Sequence, residues 1–332
     1  MNSEGEVHRG LPASLASRLS VPLIAAPMFR VSGPDLVIEA CLAGVMGSFP
    51  TANCRSVDEL NAWLERIKAA LVPDAAPYCP NLIMKRDTMQ EELACLIRHG
   101  VEVVITSVGS PKPAVKPLHD IGCLVLADVA TLAHAHKALD AGVDGLILLT
   151  AGAGGQTGWA NGLSFARAVR KFFDGPLVLA GGISDGAALL AAQVLGCDLG
   201  YMGTRFIATV ESMASPAYKQ MVVDAEFDDI LLSKAFTGLE TNMLRPSIVA
   251  AGLDPAQLPT DMSQDRAKAL YGAGAQGPTR WRDIWSAGHT VSGVTQLTDV
   301  ASLVASIKQE YEKAALDAFA HIPPFSNRGV SK

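Results

Sequence analysis

Along the first two thirds of the chain, short unbroken apolar runs rich in Val, Ile and Leu alternate with longer segments whose apolar positions recur every three or four residues. The runs lie at 23–27, 45–49, 78–83, 101–107, 123–128, 145–150, 176–181 and 199–203. Continuous apolar character, rather than strict alternation, marks strands covered on both faces by helices. The segments between them, among them 57–71, 89–99, 132–141, 163–173 and 186–195, have the period of amphipathic helices. Ser56 with Glu59 three residues on, and Asp185 ahead of an Ala-rich stretch, read as helix N-caps. Gly142 and Gly196 stand where a helix would stop and the next strand begin.

Eight strand–helix units in succession predict a (β/α)8 TIM barrel, in the α/β class. An open dinucleotide-binding sheet would carry its glycine fingerprint after the first strand. There the chain reads Ala26-Pro27-Met28-Phe29-Arg30, which excludes it. After Phe206 the rhythm breaks: no strand seed is visible up to Arg282, only polar helical turns and loop clusters such as Leu258-Pro259-Thr260-Asp261. This predicts a helical lid domain at 208–283, inserted after the eighth strand, with the barrel formed by 15–207 and 284–322. An apolar-periodic helix at 298–319 would return as the last barrel helix, and the tail from Pro323 to Lys332 reads as frayed.

Composition narrows the function. Of 332 residues 49% are hydrophobic and 18% charged, with a net charge of −6, so the chain is globular and has no excess of positive charge for a nucleic-acid backbone. The start Met1-Asn2-Ser3-Glu4-Gly5-Glu6 lacks the basic and apolar blocks of an export signal, and no apolar stretch is long enough for a membrane span. The six cysteines form no Cys-x-x-Cys pair and read as reduced core thiols of a cytoplasmic protein.

In such a barrel the chemistry sits on the loops after the strands. The first strand offers Met28, the third Asn81, the fourth Ser107 and the fifth Asp128, while the sixth runs into the small-residue loop 151–158 containing Gly155 and Gln156. The seventh and eighth end in Gly181-Gly182 and Gly203-Thr204. Glycines there let backbone N–H groups approach an anion, which predicts a phosphate site. With the small-residue rim at the sixth strand, a phosphorylated cofactor lying across the mouth fits, and flavin mononucleotide (FMN) is the candidate.

Six segments occur in one order: Ala25-Ala26-Pro27-Met28, Pro80-Asn81-Leu82, the glycine loop ending in Gly155-Gln156-Thr157-Gly158, Gly181-Gly182-Ile183-Ser184-Asp185-Gly186, Met202-Gly203-Thr204-Arg205-Phe206, and Ile284-Trp285-Ser286-Ala287-Gly288. The ordered set resembles the nitronate monooxygenase family, whose relatives include FMN-dependent enoyl-thioester reductases and NADH:quinone reductases. The resemblance implies an FMN-binding barrel in which Met28 and Asn81 contact the flavin ring and Gly181, Gly182, Gly203 and Thr204 the phosphate. Ser286 and Gly288 then approach from the returning segment, with Gly155 and Asp128 completing the cofactor-facing set.

The chain departs from the family where many members carry a proton-transferring His after the sixth strand. It has Gln156, whose amide cannot act as a base near neutral pH. A nitronate arrives already ionised and needs no base, so Gln156 leaves nitronate oxidation open and disfavours neutral nitroalkanes. His289, beside the last motif, is the candidate displaced acid or base, and Arg245 on the insertion a candidate substrate cation, with Asn242 near it. Asp128 stands where some relatives place Lys, and an ionised carboxylate there would repel an anion. The expected activity is oxidation of alkyl nitronates with O2 to a carbonyl compound and nitrite. The alternative is an NAD(P)H-dependent FMN reductase acting on an enoyl thioester or quinone. The expected partner is a small-molecule substrate, and a homodimer is left open.

Overall fold

The computed structural model describes residues 10–321. Its centre is a closed barrel of eight parallel strands: β1 (Leu23–Ala25), β2 (Met46–Pro50), β3 (Cys79–Ile83), β4 (Val103–Ser107), β5 (Leu124–Val129), β6 (Gly145–Leu149), β7 (Leu177–Ala180) and β8 (Leu199–Met202). Closure comes from the pairing of β1 with both β2 and β8, in the register Ile24↔Met46 and Ile24↔Tyr201. Alternate residues serve two different cores. Ile24, Met46, Cys79, Val103, Ile105, Leu126, Ile147, Val178 and Leu199 fill the lumen, whereas Leu23, Phe49, Leu82, Val104, Val125, Leu146, Leu148 and Leu177 pack outward under the helices. Two buried faces explain why the strands read as unbroken apolar runs.

The covering helices are α1 (Pro34–Leu42), α2 (Val57–Ala70), α3 (Met89–Arg98), α4 (Lys112–His119), α5 (Leu132–Asp140), α6 (Gly162–Val169), α7 (Gly186–Val194) and α8 (Val300–His321). The predicted caps are present. Ser56 Oγ accepts from Glu59 N at 3.2 Å while Glu59 Oε2 accepts from Arg55 N at 2.7 Å, and Asp185 Oδ1 accepts from Ala188 N at 2.8 Å. The pattern had not marked α4, whose short sequence includes Pro113 and an internal Pro117. All six cysteines are buried and unpaired, and burial pushes the Cys41 thiol up to about 12. Among the described residues no helix is long and apolar enough to cross a membrane. The tail at 323–332 lies outside the described residues.

The inserted segment corrects one expectation, since it is not purely helical. Besides the helices Pro216–Asp224, Arg245–Ala250 and Gln264–Tyr271 it contains an antiparallel hairpin, Ile230–Ser233 with Thr241–Leu244. The first of these strands is short and half-exposed and the second is Thr-Asn-Met-Leu, so neither carries a buried Val/Ile run. A third strand, Gly155–Gln156, comes from the loop after β6 and pairs with Thr241 and Asn242. The insertion is thus stitched to the barrel mouth by backbone hydrogen bonds.

α8 closes the barrel by crossing α7 at Gly186, where an added Cβ would lie 2.0 Å from Tyr311 N and 2.5 Å from Ile307 O. Glu310 Oε2 accepts from Gly186 N at 3.0 Å and is paired with Arg205 at 3.3 Å, so the crossing also caps α7. Gly186→Ala is expected to lower stability by about 3 kcal/mol, because backbone atoms on α8 cannot move aside as a side chain can. Urea unfolding measures this, and an unchanged midpoint would contradict it.

Candidate active site

The carboxyl ends of the strands form the mouth, and strand alternation decides which residues face it. In phase with the lumen residues below them are Asn81 on β3, Ser107 on β4, Asp128 on β5, Leu149 on β6, Ala180 on β7 and Tyr201 on β8. Ser107 Oγ donates to Asn81 Oδ1 at 2.7 Å, which leaves the amide nitrogen as the free donor. Behind β3, Thr51 Oγ1 is 3.2 Å from Asn81 O and 2.6 Å from the buried carboxylate of Glu92, itself paired with Arg86 at 2.9 Å. This network holds the Asn81 backbone in place.

Asp128 Oδ1 and Tyr201 OH are enclosed, and neither has a hydrogen-bond partner. Loss of water alone raises the Asp128 carboxyl to about 7. Burial first, and then the neighbouring Asp128 and Cys79, push the Tyr201 phenol well above its ordinary value. The repulsion that an ionised Asp128 would exert on an anion is lessened by this burial, which favours the protonated form.

Two glycine turns flank these groups. Gly181 (φ +108°) lies so close to the loop after β6 that an added Cβ would be 2.6 Å from Thr150 Oγ1. At Gly182 (φ +80°) the Cβ direction opens into free space, with no heavy atom within 4 Å. The Cβ position of Gly203 is 3.3 Å from Met28 Sδ, so the ends of β1 and β8 meet. Met28 is braced from both sides, its N–H donating to Ser32 Oγ at 3.0 Å and its carbonyl accepting from Asn53 Nδ2 at 3.0 Å.

The returning segment packs onto the loop after β6 backbone to backbone. A Cβ on Gly154 would be 2.8 Å from Gly288 N, and one on Gly288 would be 2.6 Å from Gly152 O. Thr204 Oγ1 accepts from Gly288 N at 2.9 Å, so Thr204 ties that segment to the end of β8. Close approach accounts for glycine at 288 without a ligand. The carbonyl of Ser286 accepts from Tyr218 OH, while its hydroxyl is 4.0 Å from the Cβ position of Gly155.

Gln156 is exposed on its two-residue strand. The backbone N–H of His289 donates to Gly152 O at 2.9 Å, and the His289 ring lies against Phe227 with centroids 4.7 Å apart. The structure thus brings His289 to the start of the Gln156 loop. Asn242 Nδ2 donates to Ala153 O at 2.7 Å, a bracing role in the same loop. Arg245 is exposed at the start of its helix and makes no ion pair among the described residues. Tyr201 went unnoticed in the sequence, although its position two residues after Leu199 gives it the lumen phase. Val108 was also missed: next to Ser107, exposed, and at φ 53°, it is a β-branched residue in the left-handed region at the mouth.

These features fit the two ends of a phosphorylated aromatic cofactor. Open space beside a glycine turn suits the phosphate, and unpartnered polar atoms with the Asn81 amide suit a ring with a polar edge.

The sequence profile described as nitronate monooxygenase matches residues 79–310. The chain is 26% identical over 336 residues to the (3aS,4S,5R,7aS)-5-hydroxy-7a-methyl-1-oxo-octahydro-1H-indene-4-carboxyl-CoA dehydrogenase of Mycobacterium tuberculosis, covering 91% of this chain and 94% of that protein. It is 26% identical over 349 residues to the nitronate monooxygenase of Paraburkholderia phytofirmans, covering 88% and 93%. In fold it is similar to FabK from Thermotoga maritima, with TM-score 0.79 and 23% identity over 95% of this chain and 100% of that one. The nitroalkane oxidase of Streptomyces ansochromogenes gives TM-score 0.78 and 24% identity over 92% and 100%.

The Asp128 environment makes stability depend on pH. Its folded value of about 7 exceeds the ordinary 3.8, so between the two the folded chain binds more protons than the unfolded chain. Stability therefore falls as pH rises through that window and levels off above it. Asp128→Asn is expected to change urea-unfolding stability little at about pH 4 and to raise it by ~2–4 kcal/mol at about pH 8. Equal effects at both pH values would contradict the assignment.

Proposed function

The chain belongs to the nitronate monooxygenase family, and from that membership we propose an FMN-dependent oxidoreductase that oxidises alkyl nitronates with O2 to a carbonyl compound and nitrite. The observation that carries this reading is the paired turn at the ends of β7 and β8, with free space beside Gly182 and polar atoms awaiting partners at Asp128 and Tyr201. In this reading the backbone of Gly181, Gly182 and Gly203, with Thr204, holds the phosphate. Asn81 donates its amide N–H to the ring, Met28 covers its apolar part, and Gly155, Ser286 and Gly288 close the rim from the returning side. FMN, when bound, supplies the one- and two-electron chemistry of the reaction.

The chain's own residues select the substrate. Gln156 donates and accepts hydrogen bonds, so it can orient a nitro oxygen, but it cannot remove a proton from carbon. An alkyl nitronate has already lost that proton. Arg245, an exposed cation of the insertion, attracts the anion, and His289 at the root of the Gln156 loop is the candidate acid or base. A second reading, reduction of an enoyl thioester or quinone by NAD(P)H, draws support from the relative named as a dehydrogenase of a carboxyl-CoA thioester, and it too requires no base at position 156.

Oxygen uptake separates the readings. FMN-loaded protein is expected to consume O2 with propyl nitronate without nicotinamide and to turn over neutral nitropropane at least ~100-fold more slowly. Gln156→His is expected to raise the nitropropane rate by ~10-fold or more and to leave the nitronate rate unmoved. Rapid anaerobic loss of the yellow absorbance with NADH or NADPH, and none with nitronate, would replace the first reading by the second.

A further inference from the structure

Asp128 is the one charged residue type set in the lumen phase of the barrel at the mouth, two positions beyond Leu126 and level with Ile147 on the next strand. Oδ1 is enclosed and makes no hydrogen bond, and the residue as a whole is half-buried. A carboxylate placed so, without a partner, is strongly disfavoured; a carboxylic acid is tolerated and carries an O–H to donate. Tyr201 OH, from β8 across the lumen, is likewise enclosed and unpartnered and lies within electrostatic reach of Asp128.

We propose that Asp128 works as a neutral carboxylic acid and, with the Tyr201 hydroxyl, forms a pair of buried donors for negative charge at the barrel mouth. That charge belongs to an anionic substrate or to the cofactor ring once it has accepted electrons. The inference rests on the flavin reading above and adds to it the source of anion stabilisation. Preorganised donors in a dry site act more strongly than the same groups in water, and an Asp kept neutral by apolar surroundings is able to serve as one.

The titratable groups around this corner are consistent with it. Tyr201 from β8 and, behind it, Cys79 from β3 are both held protonated by burial. Burial is what raises the Asp128 carboxyl, and no lysine or arginine among the described residues offsets it. The neighbouring polar pair, Ser107 and Asn81, is uncharged and bonded to itself. Above about pH 7 Asp128 loses its proton and the donor becomes a repelling charge.

Infrared spectroscopy of the FMN-loaded, full-length protein reads the proton directly. Expected is the carbonyl stretch of a protonated carboxylic acid at about pH 6, lost at about pH 9 and missing from Asp128→Asn. With propyl nitronate, kcat/KM of the native protein is expected to fall about tenfold per pH unit above neutrality. Asp128→Asn, an amide that donates at every pH, should flatten that fall. Tyr201→Phe should lower kcat/KM by ~10-fold at each pH while keeping the infrared band. Absence of the band at about pH 6, or an Asn variant whose profile falls as steeply as the native one, overturns the proposal. The infrared titration needs no substrate, so a protein that bears the band but ignores nitronate would count against the nitronate reading alone.

Discussion

Closing eight parallel strands into a barrel forces every second side chain into a lumen that excludes water, and the rest of the structure follows from that dryness. Below the mouth it is met by Ile, Val, Leu and Met, which lose nothing by it. At the mouth the same phase delivers Asn81, Ser107, Asp128 and Tyr201. Each must find a partner inside the protein, give up its charge, or wait for a ligand. Asn81 and Ser107 take the first course, Asp128 the second, and Tyr201 with Asp128 Oδ1 the third. Polarity held at the brink of a dry cavity is what turns a stable scaffold into a site.

The other half of the site comes from chain far away in sequence. The loop after β6 lies between the hairpin of the insertion, which adds Gly155–Gln156 as a third strand, and the returning segment at 286–288. Gly154 and Gly288 allow the two backbones to touch, and Thr204 fixes the contact to β8. Gln156 therefore sits on a doubly clamped support. Substitution there should alter chemistry without collapsing the loop.

Much of this was legible in the sequence because burial on both faces leaves a simple trace. Eight apolar runs became eight barrel strands, and Ser56 and Asp185 cap the helices they were expected to cap. What escaped has physical reasons. The prolines in α4 hid a short helix, and the hairpin at 230–244 is held by register with its neighbours rather than by an apolar run of its own. Glycine at 288 also has a structural reason that the sequence did not show, the close backbone of the loop after β6. The state of Asp128 was out of reach altogether, because a residue's dryness is contributed by strands distant along the chain and leaves no mark beside it. Tyr201 was hidden for the opposite reason: inside an apolar run, a phenol reads as one more bulky side chain.

The crossing of α7 by α8 also sets a schedule. Gly186 and Glu310 meet across 124 residues, and the insertion occupies most of the interval. A chain emerging from the ribosome has all eight strands available long before α8 exists to cover α7. Until then the outer face of the last strand–helix unit stays wet, and nothing seals the seam between β8 and β1 from outside. The insertion fills this interval, and its own apolar cluster around Phe236, Met243 and Ile248 lets it condense while the barrel waits. The distance between its ends is then short, which reduces the entropy lost when α8 docks.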